Sequence, residues 1–303
     1  MDTLASNFSL TEANELTHAY LAVVSQRSGI RALSIKGLVS DRYELREPRI
    51  AADADVLVDP RRFDEFCELL KAGGWRPRLE RDVPSLMEQH SVTLIREGWP
   101  NDIDVHVYFP GFFADRAATF DRLWETRASM EVAHVDIAVP SRAGAAVIGA
   151  LHSLRYTRSI RHSSELERIV DIVANDFDDA DREDFLGIAR AGAAQWVLGE
   201  VLERIGVPVV VDIDAHQQRL WATNRKTIED GAAVSWLAAF RGAPLHRKPA
   251  LLFRALWISR DDIPRNDPLH RPTVAEAWAH RRLRWRRGAI ALWHYLRGTF
   301  GRS

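Results

Sequence analysis

The sequence predicts an α+β protein: a short mixed β-sheet flanked by helices over residues 1–140, then an all-helical domain over residues 141–303. Three observations predict it. Strand-like alternation and helical periodicity take turns up to about Pro140, strand signals almost vanish beyond it, and glycine and proline fall at the joints between segments. A chain of 303 residues also suffices for two ordinary domains, each with its own core.

The elements follow in order. Apolar residues recur at helical spacing from Thr11 to about Ser28, behind a threonine able to cap. "IRALSIKG" then reads as a short buried strand that ends at Gly37. "LVSDRYELREP" forms a short helix or turn that stops near Pro48, because a residue before proline avoids the helical region. "ADADVLV" is a strand, and "DPRRFDEFCELLKAGGW" is a helix with Pro60 near its first turn and Gly73-Gly74 at its end. "HSVTLIREGWPNDIDVHVYF" reads as a hairpin of two alternating strands about Gly98-Trp99-Pro100-Asn101. "VDIAVP" adds a short strand before the helix of "SRAGAAVIGALHSLRY". "ELERIVDIVANDF", "REDFLGIARAGAAQWVLGEVLERIG" and "IEDGAAVSWLAAFRG" are helical in period, and "PRNDPLHRP" connects them to a final helix from roughly Thr273.

Composition narrows the class. Hydrophobic residues make up 46% and charged residues 27%, as in an ordinary soluble globular protein. No run approaches the ~18 apolar residues of a membrane span. The first residues lack a basic region followed by an apolar core, so a cytoplasmic location is expected. Cys67 is the only cysteine, which excludes an internal disulfide and a cysteine-based metal site; on its helix it reads as a small buried hydrophobe. The net charge of −1 hides an asymmetry: acids crowd Glu165 to Phe185, whereas the last fifty residues hold eleven arginines against four acids.

Acids in a buried strand demand a partner, because unpaired buried charge costs several kcal/mol. Strand alternation puts Asp53 and Asp55 on one face and Ala54 and Val56 on the other. In "NDIDVHVYF" the same alternation groups Asp102, Asp104 and His106. If the two strands are neighbours, Asp104 meets Asp53 and Asp55, with Asp102 as the alternative third acid. Three carboxylates on adjacent strands suit hard divalent cations in phosphoryl or nucleotidyl transfer. The alternative is a strand end with solvated acids. Lys36 is one of only four lysines in an arginine-rich chain. It stands either beside phosphate, with Gly37 opening the backbone to phosphate oxygens, or at a solvated strand end.

The ordered set Lys36-Gly37, Tyr43, Arg49, Asp53-x-Asp55 before Val56-Leu57-Val58, and Asp104-x-His106 resembles the nucleotidyltransferase superfamily that includes polymerase beta. More narrowly it is similar to the bacterial "uncharacterised nucleotidyltransferase" family, with His90 and His152 as looser matches. The resemblance covers about Leu33 to Asp171 and departs from the superfamily's commonest Gly-Ser or Gly-Gly phosphate loop. It implies a catalytic domain over residues 1–140 that moves a nucleoside monophosphate from an NTP to an acceptor hydroxyl. It also implies two Mg²⁺ ions on Asp53, Asp55 and Asp104, and nucleotide contacts from Lys36, Gly37, Arg49 and His106.

Several residues keep two readings. Arg49 either reaches phosphate or is an exposed loop arginine, and His106 either orients a carboxylate or substrate or is a satisfied histidine at a sheet edge. His152 is a nucleotide or acceptor contact or a structural histidine. "RYTRSIRH", Arg155 to His162, receives an anion or is a solvated helix face, and Tyr43 reads as core. In the last helix Trp285, Ala289, Leu292, Trp293, Leu296 and Phe300 form an apolar stripe among Arg281, Arg282, Arg284, Arg286, Arg287 and Arg297. That helix docks onto its own domain, a second subunit or an acidic partner, or binds membrane or nucleic acid. Beside the enzyme stand two other classes: a degenerate nucleotide- or peptide-binding scaffold, and a surface binder working through the basic terminus.

Overall fold

The computed structural model describes residues 8–78, 89–156, 158–230, 236, 240, 242–257, 260, 263 and 273–300. Helix α1 (Leu10–Ser28) starts at Ser9 rather than at Thr11. Ser9 and Glu12 satisfy each other's backbone N–H groups, Glu12 N to Ser9 Oγ at 3.2 Å and Ser9 N to Glu12 Oε2 at 2.8 Å. Gly29 at φ +65° closes the helix in the left-handed conformation that glycine adopts without strain. Strands β1 (Ala32–Ile35), β2 (Asp53–Val58), β3 (Arg76–Pro77), β4 (Ser91–Ile95) and β5 (Asp102–His106) form one sheet in the order β1-β2-β5-β4-β3. β2 and β5 run parallel and the other pairs antiparallel, so the sheet is mixed as the sequence predicts. Between β1 and β2 lies the short helix α2 (Gly37–Arg42), and between β2 and β3 a 3₁₀ turn at Pro60–Arg62 leads into α3 (Phe63–Ala72).

One face of the sheet makes the core. Ala54, Val56, Val58, Ile103 and Val105 cluster with Leu21 of α1 and with Phe66, Cys67 and Leu70 of α3. Burial pushes the Cys67 thiol up to about 11, so it behaves as a small hydrophobe. The other face carries the acids. That division follows from the two-residue period of a strand.

After α4 (Arg116–Glu125), strands β6 (Ala128–Val132) and β7 (Val135–Val139) form a separate hairpin, of which the sequence reveals only the second strand. Its two-residue turn is Ala133-His134, at φ +47° and +62°. This conformation is usually signalled by Asn-Gly, so the turn leaves no mark in the sequence. Helices α5 (Arg142–Leu154), α6 (Ile160–Asn175), α7 (Asp179–Ala191) and α8 (Gly199–Arg204) follow. The single helical stretch expected from Arg182 to Gly206 is broken between α7 and α8. A Cβ on Gly192 would stand 2.1 Å from the Phe112 ring, and the Asp212 carboxylate takes the N–H groups of Gln195 and Trp196 at 2.8 and 3.0 Å.

The chain divides into two compact units within α9 (Ala215–Asp230). The first holds the described residues to Pro77 and from His90 to Gln218, so helices α5 to α8 belong with the sheet. In it the acidic run finds arginines: Glu167 meets Arg204 at 2.6 Å and Asp184 meets Arg122 at 2.7 Å. The second holds Arg78, Gln89 and the described residues from Arg219 on. There α10 (Lys248–Leu256) and α11 (Val274–Phe300) meet: Arg284 Nε donates to Ala255 O at 2.9 Å and Trp285 Nε1 to Leu256 O at 2.7 Å. Thr273 and Glu276 cap α11 reciprocally, which places its start where the sequence predicts it. Most of "IEDGAAVSWLAAFRG" and all of "PRNDPLHRP" lie outside the described residues. No helix among the described residues is long and apolar enough to cross a membrane.

Candidate functional site

β1 ends in an unusual turn. Lys36 stands at φ +58°, ψ −144° and Gly37 at φ +31°. For a lysine this backbone region costs about 1–3 kcal/mol, and such strain concentrates at functional sites. The Lys36 carbonyl holds the turn by accepting Val39 N and Ser40 N at 2.7 and 3.0 Å. The turn sets Lys36 Nζ 2.5 Å from Asp55 Oδ1.

The parallel register of β2 and β5 puts Asp55 opposite Asp104 and Asp53 opposite Asp102. His106 Nε2 lies 2.8 Å from the same Asp55 oxygen that Lys36 touches. With Asp55 ionised, Nε2 carries the proton and donates, which leaves the buried Nδ1 bare. Thr93 of β4, directly across from Asp104, donates its hydroxyl to Asp104 Oδ1 at 2.5 Å. Asp55, Asp104 and His106 each offer a ligand atom within 4.8 Å of the other two. Asp104 rather than Asp102 is therefore the contribution of β5 to this group. Asp53 shares their face one pleat along, and Asn14 of α1 fixes its carbonyl at 2.7 Å.

Electrostatics define what the group lacks. Burial raises the Asp53 carboxyl above its ordinary value, and the Asp55 charge raises it further against Lys36. Burial and then Asp55 raise Asp104 in the same way, against the Thr93 hydrogen bond. Burial alone would lower the Lys36 ammonium, but Asp55, Asp53 and Asp104 outweigh it and raise the group. Burial and Lys36 push His106 down to about 3, so the ring is neutral. Three acids thus share one lysine, and the excess negative charge suits a divalent cation with oxygen ligands.

Lys36, Asp55, Asp104 and His106 are brought together, with Asp53 and Gly37 adjoining them. Arg49 is instead tied by its Nη1 to Glu165 of α6. Tyr43 is half-buried and donates to Pro140 O at 3.1 Å, a packing role. "RYTRSIRH" is not the uniformly solvated face its charge suggests: Arg155 and His162 are buried, while Arg161 is exposed. Two supports escaped the sequence reading, Thr93 and Asn14. Thr93 was legible in principle, because the alternation of "SVTLI" turns it to the face of Asp104.

No family model matches the chain, and neither does any curated protein. Among solved structures, 64% of the chain aligns with 94% of an antigenic nucleotidyltransferase-like protein from Paracoccidioides brasiliensis, at 13% identity and a TM-score of 0.38. The same share aligns with 97% of the antibiotic-resistance factor ANT(2'')-Ia, at 12% identity and a TM-score of 0.40. A third match, to tRNA-processing enzyme complex 3, has a TM-score of 0.27 at 14% identity. At such scores the functional reading rests on this chain's own residues.

Proposed function

We propose that the protein is a Mg²⁺-dependent nucleotidyltransferase that moves a nucleoside monophosphate from an NTP to an acceptor hydroxyl. The observation that carries this reading is the register pair Asp55–Asp104 on parallel strands, with Asp53 one pleat away and Lys36 Nζ 2.5 Å from Asp55. Asp53, Asp55 and Asp104 would hold the metal; their oxygens are the hard donors it favours, and a cation there would offset the burial and the Asp55 charge that raise the carboxyls of Asp53 and Asp104. Bound there, Mg²⁺ supplies charge stabilisation at the phosphoryl oxygens and acidifies the attacking hydroxyl.

The chain's residues position the rest. His106 and Lys36 hold the Asp55 carboxylate in one orientation from the same oxygen. Asp104, half-buried and raised by burial and by the Asp55 charge, takes the proton of the acceptor hydroxyl. The acceptor oxygen bonds to the α-phosphorus, the bond to the bridging oxygen breaks, and pyrophosphate leaves. The Lys36 ammonium, beside Asp55, would offset the negative charge that collects on the departing phosphates. Positioning and charge account for most of the catalysis in such transfers.

Asp104→Asn is expected to lower Mg²⁺-dependent NTP turnover by about 10³-fold or more, with near-ultraviolet circular dichroism unchanged. Undiminished turnover in the folded variant would refute the assignment.

A further inference from the structure

A continuous apolar strip lies exposed on the second unit. Phe253 of α10, Trp257 just beyond it, and Trp278 and Trp285 of α11 follow one another in space, with ring centroids 6.3, 5.7 and 6.3 Å apart. Each of the four is 38% to 62% exposed. The two helices hold the strip together: the buried Arg281 lies over Trp257 at 3.9 Å and over Trp278 at 5.3 Å, and Trp285 Nε1 donates to Leu256 O. Leu252 and Leu256, beside Phe253 and Trp257 on α10, are exposed too. Trp293 stands about two turns beyond Trp285 on the same side of α11 and is likewise exposed. Contiguous apolar surface of this kind marks a place of contact.

The charge around the strip selects the partner. Among the described residues from Leu245 to Trp293, Glu276 is the only acid, against nine lysines and arginines, and its carboxylate is engaged at Thr273 in capping α11. Arg281 and Arg284 turn toward α10, whereas Arg282 and Arg286 flank the tryptophan row on its other side and are exposed. A second copy of the chain would bring like charges together. A nucleic-acid strand would match the charge but not the strip. Trp257 stands at 88° to Trp278, and Trp278 at 81° to Trp285, so they present no parallel row of faces to successive bases, and the exposed leucines have no ring to stack. An anionic bilayer surface matches both. Its headgroups pair with the arginines, tryptophan favours the headgroup level, and leucine and phenylalanine reach the acyl boundary. Arginines interspersed with tryptophans along α11 suit a helix lying in the plane of that interface.

We propose that the α10–α11 face docks the protein on a membrane surface rich in anionic phospholipid. Phe253, Trp257, Trp278 and Trp285 enter the headgroup region, and Arg282 and Arg286 pair with anionic headgroups. The apolar strip supplies the hold, and the arginines supply the preference for negative lipid. Docking gives the second unit a task of its own, one that does not depend on the carboxylate site.

Co-sedimentation of the full chain with vesicles tests this, using phosphatidylcholine with about 30% phosphatidylserine, and phosphatidylcholine alone. Wild type is expected to bind the anionic vesicles at least about tenfold more tightly than the neutral ones, and less tightly as salt rises. Arg282→Glu with Arg286→Glu should lose at least about tenfold on the anionic vesicles. Leu252→Gln with Phe253→Gln, and separately Trp293→Gln, should each lose about tenfold on the same vesicles with helical circular dichroism unchanged. Apolar variants on two different helices keep the test decisive if one of them fails to fold. No binding of wild type to the anionic vesicles, or equal binding by wild type and every folded variant, would overturn the proposal. Tighter binding to single-stranded poly(U) than to anionic vesicles would put a nucleic acid on this face instead. Self-association without lipid, abolished by Leu252→Gln with Phe253→Gln, would put a second copy there; either result overturns membrane docking.

Discussion

Strand β2 has acids at both ends, and the two ends are balanced differently. At its C-terminal end Asp59 meets Arg31 at 2.6 Å and Arg61 at 3.2 Å, and Asp121 of α4 meets the same arginines at 2.6 and 2.5 Å. Burial would raise Asp59, but Arg31 and Arg61 outweigh it and hold the carboxyl low. Hydrogen bonds from Arg61 and Arg31 bring Asp121 down to about 2. At the N-terminal end Asp53, Asp55 and Asp104 share Lys36, and Asp53 and Asp104 are raised. Two acids with two arginines make a lock between β2 and α4. Three acids with one lysine make a place for a cation. The position of acids along a strand does not separate the two; the count of cations around them does.

Substitution of the acids sharpens this contrast, with the largest effects at the N-terminal end. Asp55→Asn and Asp104→Asn should both abolish Mg²⁺-dependent NTP turnover, yet they should shift stability in opposite directions. Asp55→Asn leaves Lys36, 20% exposed, without its ion-pair partner and is expected to cost about 3 kcal/mol. Asp104→Asn relieves repulsion and should leave metal-free stability unchanged or raised. Urea unfolding in the presence of a chelator measures both. If the two variants fell equally, the acids of this end would be structural, as Asp59 is.

The next effect is one of pH. Asp53 and Asp104 have folded values above 3.8, so they favour the fold below that pH and lose this contribution as pH rises through their raised values. His90 and His106, held near 3, and His18, held near 4 by burial, act with the opposite slope: their contribution is present above 6.5 and lost as pH falls. The acid term therefore emerges only by difference. The stability gained by Asp104→Asn over wild type should grow from pH 4 to pH 7 without metal and vanish with saturating Mg²⁺. A difference that stays flat with pH would mean that Asp104 is already neutralised within the fold.

How much of this was legible depended on period and on register. The faces of "ADADVLV" and "DIDVH" follow from alternation, so the separation of Asp53, Asp55 and Asp104 from the core was readable. Which acid of β5 meets Asp55 was not. Alternation leaves Asp102 and Asp104 equivalent, and only the pairing of β2 with β5 decides between them. Arg49 shows a different limit: its partner Glu165 lies 116 residues away, and a loop arginine carries no mark of where it will pair. The helices after Pro140 were legible by period, but not their membership of the sheet's unit, because an apolar stripe does not name the surface that covers it.

The smallest effect belongs to the C-terminal end of β2. Asp121 is about one-third exposed (35%) and Arg61 half exposed, so water and salt screen much of the attraction that lowers the carboxyl. Asp121→Asn should therefore cost only about 1 kcal/mol or less, and less still at high salt. Arg31 would keep Asp59 and its place over the Phe120 and Trp124 rings, at 5.2 and 5.7 Å, which limits the loss further. What the network contributes at neutral pH should disappear as pH falls from 3.8 toward 2, where Asp121 takes up its proton. Urea midpoints at low and high salt, at pH 7 and pH 3, measure all of this. A loss at Asp121 as large as that at Asp55, insensitive to salt, would show that a partly exposed acid shared by two arginines can hold the fold as firmly as a buried one, and the count of cations would then no longer distinguish lock from site.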